Sequence, residues 1–202
     1  MDEIGLDELL QLIIRDKGGT PQQYNDLMDY IAYHETGPDQ RMSTSAVQKG
    51  GGPGRGLFQF EIGEEKGGNL AVNRTYNYLT RNNIDVPNWL YDMWEGKKSA
   101  DLSKLNADQQ KMLFLGYHRE HATSNFSNIW SGDQSIQDFW LKNHWAGTEG
   151  AEAKLDLFNK SMLAKDSTDA LKAKEEELLL KQNMAPFLAD SNNVEKLPTI
   201  TR

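Results

Sequence analysis

The sequence predicts a mainly α protein with a small irregular or β-hairpin lobe near residues 40–65. Three observations lead there. Apolar residues recur at helical spacing along most of the chain. No stretch alternates apolar and polar residues as a half-buried strand would, and no internal repeat is visible. The one long interruption, residues 36–56, contains Lys49-Gly50-Gly51-Gly52-Pro53-Gly54-Arg55-Gly56, too rich in glycine for a helix.

Residues 2–16 place Ile4, Leu6, Leu9, Leu10, Ile13 and Ile14 close to one stripe, and Gly18-Gly19 ends it. Thr20 can cap a second helix, with Pro21 at its first position. That helix presents Tyr24, Leu27, Met28 and Ile31 at i, i+3, i+4 and i+7 until Gly37-Pro38 stops it. Leu57-Phe58-Gln59-Phe60 reads as a buried strand or the start of a turn. Further helices are predicted over 69–82, 88–95, 107–122, 133–145 and 149–165. Met112, Leu113, Leu115 and Tyr117 supply the apolar positions of 107–122; Ala151, Leu155, Phe158 and Met162 supply those of 149–165. Residues 170–182 form a charged helix, and 183–202 are polar with two prolines. The predicted organisation is an N-terminal helix (1–19), a main domain (20–166), and a charged helix with a flexible C-terminal tail (167–202) that serves as linker or docking segment.

Composition narrows the classes of function. In 202 residues, 38% are hydrophobic, with 5 Trp, 7 Tyr and 7 Phe, enough for a sizeable core. A mean hydropathy of -0.70 describes a well-hydrated surface. No apolar run approaches the roughly 20 residues of a membrane span. The N-terminus opens with Asp2 and Glu3, so it reads as an amphipathic helix and not as a signal peptide. The absence of cysteine excludes a disulfide framework, a thiol nucleophile and Cys-ligated metal. A net charge of -8 argues against nucleic-acid binding, which needs clustered Lys and Arg. The glycine run lacks the order of a phosphate-binding loop and follows no strand. His118 and His121 flank Glu120 at metal-chelating spacing, but no third ligand accompanies them, so they read as a polar helix face. Neither metal nor cofactor is expected. Phe139, Trp140 and Trp145 read as core packing before sugar platform, and Trp89, Tyr91 and Trp94 suit either role.

One residue stands apart. Glu35 lies four residues after Ile31 and seven after Met28, so it continues the apolar face of its own helix. Desolvation there disfavours the charged form and raises the pKa, as a general acid requires. The glycine-rich loop downstream permits close approach of substrate, and its end places the Gln59 amide beside apolar walls.

The order Glu35, then Ser43-Thr44-Ser45-Ala46, then Gly54-Arg55-Gly56-Leu57-Phe58-Gln59 resembles the lytic transglycosylase pattern of the lysozyme superfamily. That pattern is a helix-borne Glu-Ser, a Ser about ten residues on, then Gly-Ala-x-Gly-Leu-Met-Gln. Here Thr36 follows the glutamate, Arg55 precedes the last glycine, Phe58 replaces Met, and glycines 50–52 stretch the spacing. Asn143-His144-Trp145-Ala146-Gly147 is similar to the family's Ala-Tyr-Asn-Ala-Gly, which lines the cleft. The resemblance spans roughly residues 22–165. It implies a lysozyme-like helical domain that cleaves the MurNAc–GlcNAc β-1,4 bond of peptidoglycan glycan strands, with Glu35 as acid/base. It further implies that Ser45 bonds substrate, that Gln59, beside Phe58, holds an N-acetyl or hydroxyl group, and that Trp145 or His144 replaces the cleft tyrosine. A hydrolase needs a second carboxylate, for which Asp39 and Glu61 are the candidates, whereas a transglycosylase needs one carboxyl. The residues favour transglycosylation by a narrow margin. The acidic start without an export signal resembles lysozyme-like domains carried in phage particles and delivered to the bacterial periplasm or cell wall. The tail would then contact other virion proteins. The rival reading is a structural or assembly component of a phage particle that keeps such a fold without the chemistry.

Overall fold

The computed structural model describes residues 3–61, 67–96, 101–120, 125–145 and 150–191. These residues are mainly helical, with one two-stranded antiparallel sheet among them. The chain divides into two compact units, Met1–Met162 and Leu163–Arg202.

Helix α1 (Leu6–Lys17) buries Leu9, Leu10 and Ile13 in the core of the first unit, so it is part of that core and not a separate N-terminal element. Gly18, at φ 73°, ends it. At Gly19 a Cβ would meet the Trp130 indole at 2.7 Å, so the chain reaches α2 only through glycine. Helix α2 (Pro21–Glu35) starts in a capping box: Thr20 and Gln23 exchange side-chain bonds to each other's backbone N–H. Its predicted face, Tyr24, Leu27, Met28 and Ile31, is fully buried. Thr36 then secures the exit. Its hydroxyl donates to Ala32 O at 2.7 Å and accepts from Met42 N at 2.9 Å, which ties the next loop to the helix end.

The predicted hairpin lobe is present. Strand β1 (Gly54–Arg55) pairs with β2 (Phe60–Glu61), and Val47 bridges to Arg55 on the other edge. Leu57-Phe58-Gln59 is therefore the turn of the hairpin and not a strand. A distant residue clamps it: Gln110, buried on α5 (Ala107–Glu120), accepts from Leu57 N at 2.7 Å and donates to Thr44 O and Leu105 O at 2.8 and 2.9 Å. Gly56, at φ 75°, faces the same amide, and a Cβ there would lie 2.3 Å from Gln110 Oε1.

Helix α5 is buried on nearly every side, from Gln110 through Phe114 to His118. It lies tightly on α3 (Gly67–Arg81), because Gly116 leaves room for Thr75, whose hydroxyl donates to Ala71 O and contacts Leu113 O. Helix α4 (Asn88–Gly96) stacks Trp94 on Tyr76 of α3 at 4.0 Å, so Trp94 is packing; Tyr91 is exposed.

Two boundaries differ from expectation. The helix predicted over 133–145 is split. Helix α6 (Phe126–Trp130) precedes it and ends at Gly132, α7 (Ile136–Phe139) starts at the Ser135 cap, and Trp140–Trp145 winds as a π-helix. The helices predicted over 149–165 and 170–182 are one, α8 (Ala151–Ser191), since no glycine or proline interrupts residues 166–169. The division between units falls after Met162 inside this helix, not at 166. Residues 183–191, expected in the tail, belong to α8; residues 192–202 lie outside the described residues. In the second unit Leu171, Leu178, Leu179 and Leu180 are exposed. No helix among the described residues is long and apolar enough to cross a membrane.

Replacing Gln110 with leucine keeps the bulk but strands Leu57 N–H, Thr44 C=O and Leu105 C=O. Urea unfolding should report a loss of about 2–4 kcal/mol, and hydrogen exchange should quicken at Leu57. A variant as stable as wild type would show that the clamp is dispensable.

Candidate active site

Glu35 is the last residue of α2 and inherits its buried face. Two cavities adjoin there, of about 320 and 270 Å³, and both are lined by Glu35, Gln48 and Gln59. The carboxyl thus borders both cavities, with 17% of its side chain still exposed. Burial pushes its pKa up to about 7, against the opposing pull of the Trp140 hydrogen bond and the Lys154 charge.

Trp140 Nε1 donates to Glu35 Oε1 at 2.6 Å. The indole can only donate, so Oε1 is the accepting oxygen and Oε2 is left to carry the acid proton. The donor is held rigidly: Trp140 is 1% exposed, stacks on Phe158 at 4.7 Å, and meets the His34 ring edge-on at 4.8 Å. His34 in turn shares a hydrogen bond between Nδ1 and Ser161 Oγ at 3.0 Å, and burial lowers its pKa to about 4.

His144 closes the other side. Its Nε2 lies 2.9 Å from Phe58 O and 3.9 Å from Glu35 Oε1, and its Nδ1 lies 3.3 Å from His118 Nε2. Burial lowers its pKa to about 4, so near neutrality the contact with Glu35 is not an ion pair. The π-helical turn delivers Trp140, His144 and Trp145 to this region together.

The residues expected from sequence fall into three groups. Glu35, Gln59, Phe58, His144, Trp145 and Glu61 share the larger cavity, and Asp39 lines the smaller one with Glu35 and Gln59. Their roles within it are more specific than expected. The Phe58 ring is buried in a stack with Phe114 at 4.5 Å, so it is a floor, and its carbonyl is the polar contribution. Gln59 commits Nε2 to Gly56 O at 2.7 Å and Ala46 O at 3.3 Å, leaving Oε1 buried with no partner among the described residues. The two candidate carboxylates stand in different cavities: Glu61 with His144, Asp39 with His34. Ser45 lines neither. It is exposed and contacts Ser43 Oγ at 3.1 Å, because Ala46 takes the buried position where Gly56 N bonds its carbonyl. Ser45 therefore lies outside the linings of both cavities.

Trp140, Gln48, Tyr117, His118 and Lys154 were not identified as site residues by sequence. His118, read there as part of a polar face, is fully buried, and His121 lies outside the described residues. Among the described residues no group of three or more His, Asp or Glu could hold a metal ion. No family model matches the chain, and no curated protein or solved structure matches it either.

The raised pKa of Glu35 makes stability pH-dependent. The folded state holds this proton more tightly than the unfolded chain, so its contribution is complete below the ordinary value of 4.5 and is lost as pH rises through about 7. His34 and His144, depressed from 6.5 to about 4, act oppositely: their contribution is present above 6.5 and lost on acidification. Glutamine at 35 cannot ionise. Relative to wild type, Glu35→Gln should gain about 2–3 kcal/mol between pH 4.5 and 8 in urea unfolding. A difference that stays constant across that range would contradict a buried, proton-holding Glu35.

Proposed function

We propose that the protein is a peptidoglycan-cleaving muramidase of lysozyme-like fold, with Glu35 as the general acid and then base. The observation that carries this reading is a largely buried carboxyl, pKa about 7, that lines two cavities at once. A glycan laid along the groove would place a glycosidic oxygen at Glu35, with a sugar on either side. The motif order Glu35, Gly54-Arg55-Gly56-Leu57-Phe58-Gln59 and Asn143-His144-Trp145 supports the same substrate class.

In the proposed step Glu35 gives its proton to the glycosidic oxygen as the C1–O bond breaks, and the leaving sugar departs as an alcohol. The new carboxylate is held by the Trp140 N–H, a donor already in place before charge develops. It then takes a proton from the attacking hydroxyl. Transglycosylation uses the muramyl 6-hydroxyl and yields a 1,6-anhydro ring; hydrolysis uses water and yields a reducing end. We favour the first, since Asp39 and Glu61 are both exposed and lie in different cavities. The virion origin inferred from sequence accompanies this proposal.

Mass spectrometry of purified peptidoglycan after digestion tests it. Anhydro-muropeptides are expected from wild type, and Glu35→Gln should lower their yield at least about 10²–10⁴-fold. Reducing-end products would assign hydrolysis instead. No product from wild type would leave the structural role in a phage particle as the better reading, and full activity in the variant would remove Glu35 as the acid.

A further inference from the structure

Resting on the reading of the two cavities as a glycan site, we infer that Gln48 is a specificity-determining residue whose amide donates to the acetamido carbonyl of a bound sugar. A backbone N–H can only donate, so the Gln48 atom that Gly54 N approaches at 3.2 Å is Oε1, the accepting end of the amide. The backbone holds the same pair together, Gln48 N donating to Gly54 O at 3.0 Å. Gly50 and Gly51, both at φ 78°, turn the chain so that Gly51 N–H returns to Gln48 O at 3.1 Å. Arg55 fixes the loop from within, its Nη1 donating to Gly52 O at 2.6 Å and to Gly54 O at 2.8 Å. At Gly52 a Cβ would collide with the Gln48 amide. The glycine run and Arg55, which depart from the lytic transglycosylase pattern, thus form a cradle for this one side chain.

With Oε1 committed to Gly54, Nε2 is the end that Gln48 offers to the two cavities, which it lines beside Glu35. Gln59 is oriented the opposite way. Its Nε2 is spent on Gly56 O and Ala46 O, which only accept, so Oε1 is its open end, buried and without a partner among the described residues. Its backbone is held at φ 48°, a left-handed conformation that glutamine seldom adopts. Both amides converge on Gly54: Gln48 Oε1 takes its N–H, and a Cβ there would lie 2.9 Å from Gln59 Oε1. One residue therefore gathers an amide donor and an amide acceptor beside the acid. A hydroxyl is satisfied by either one. A secondary amide, with a C=O to accept and an N–H to donate, uses both, and on a peptidoglycan sugar that group is the acetamido substituent.

The test is calorimetric titration of the full chain with two neutral probes, chitotetraose and cellotetraose, which carries a hydroxyl in place of each acetamido group. Working at pH 8, above the Glu35 midpoint, keeps the ligand from being consumed. Wild type should bind chitotetraose at least about tenfold more tightly; equal affinities would overturn the inference, whether or not any variant folds. Gln48→Glu keeps the length of the side chain and an oxygen to accept from Gly54 N–H, but has no proton to donate. It should lose about tenfold in affinity for chitotetraose and keep that for cellotetraose. Gly52→Ala, which pushes the Gln48 amide aside, should do the same. A Gln48 that only braces the loop would leave binding in Gln48→Glu at the wild-type level, and that result overturns the inference. A preference for chitotetraose that depends on Gln48, in a protein that yields no muropeptides, would sink the glycosidase and leave the acetamido site standing. Muropeptides from wild type with unchanged binding in Gln48→Glu would do the reverse.

Discussion

A largely buried carboxyl group, with no lysine or arginine among the described residues in ion-pair contact, holds its proton to about pH 7. The arrangement of the first unit follows from accommodating it. Met28 and Ile31 bury the helix that carries Glu35, Trp140 supplies a short hydrogen bond, and burial holds the neighbouring His34 and His144 neutral near pH 7. Burial alone would make Glu35 a poor base after it gave up its proton. The Trp140 donor corrects this, since it strengthens as charge develops on the carboxylate.

The groove walls are held by bonds that cross long stretches of sequence. Gln110 fixes the hairpin turn from 53 residues away, and His144 reaches the Phe58 carbonyl from 86. Both act on the same Leu57-Phe58-Gln59 turn, so the hairpin is set on α5 on one side and on the π-helical turn on the other. Gly56 is needed for two reasons at once, its positive φ and the closeness of the Gln110 amide. Trp140 and His144 come from one π-helical turn, an irregular winding that is often found at functional sites.

Local signals were legible in the sequence and long-range ones were not. The Thr20 cap with Pro21, the apolar stripe of α2 and the position of Glu35 on it are all near-neighbour patterns, and each is present. The glycine run predicts a non-helical lobe for the same reason. Gln110, His118 and Trp140 gave no such signal, because a buried polar side chain looks like a surface one until its distant partner is known. His118 was misread on that ground: α5 is buried nearly all round, so no polar face exists for it to join. Ser45 lies outside both cavities for another reason. Its distance from Glu35 along the chain suits a groove residue, but the pairing of Val47 with Arg55 and the burial of Ala46 turn it outward. The break predicted between 165 and 170 is absent because helix α8 continues through it.

The central claim is that Glu35 in the folded protein holds its proton up to near-neutral pH, well above the ordinary carboxyl range. Carbon-13 titration of its side-chain carboxyl in the wild-type chain measures this directly. A midpoint near 7 is expected; a midpoint near the ordinary 4.5 would mean that Glu35 is ionised at neutrality and cannot be the acid.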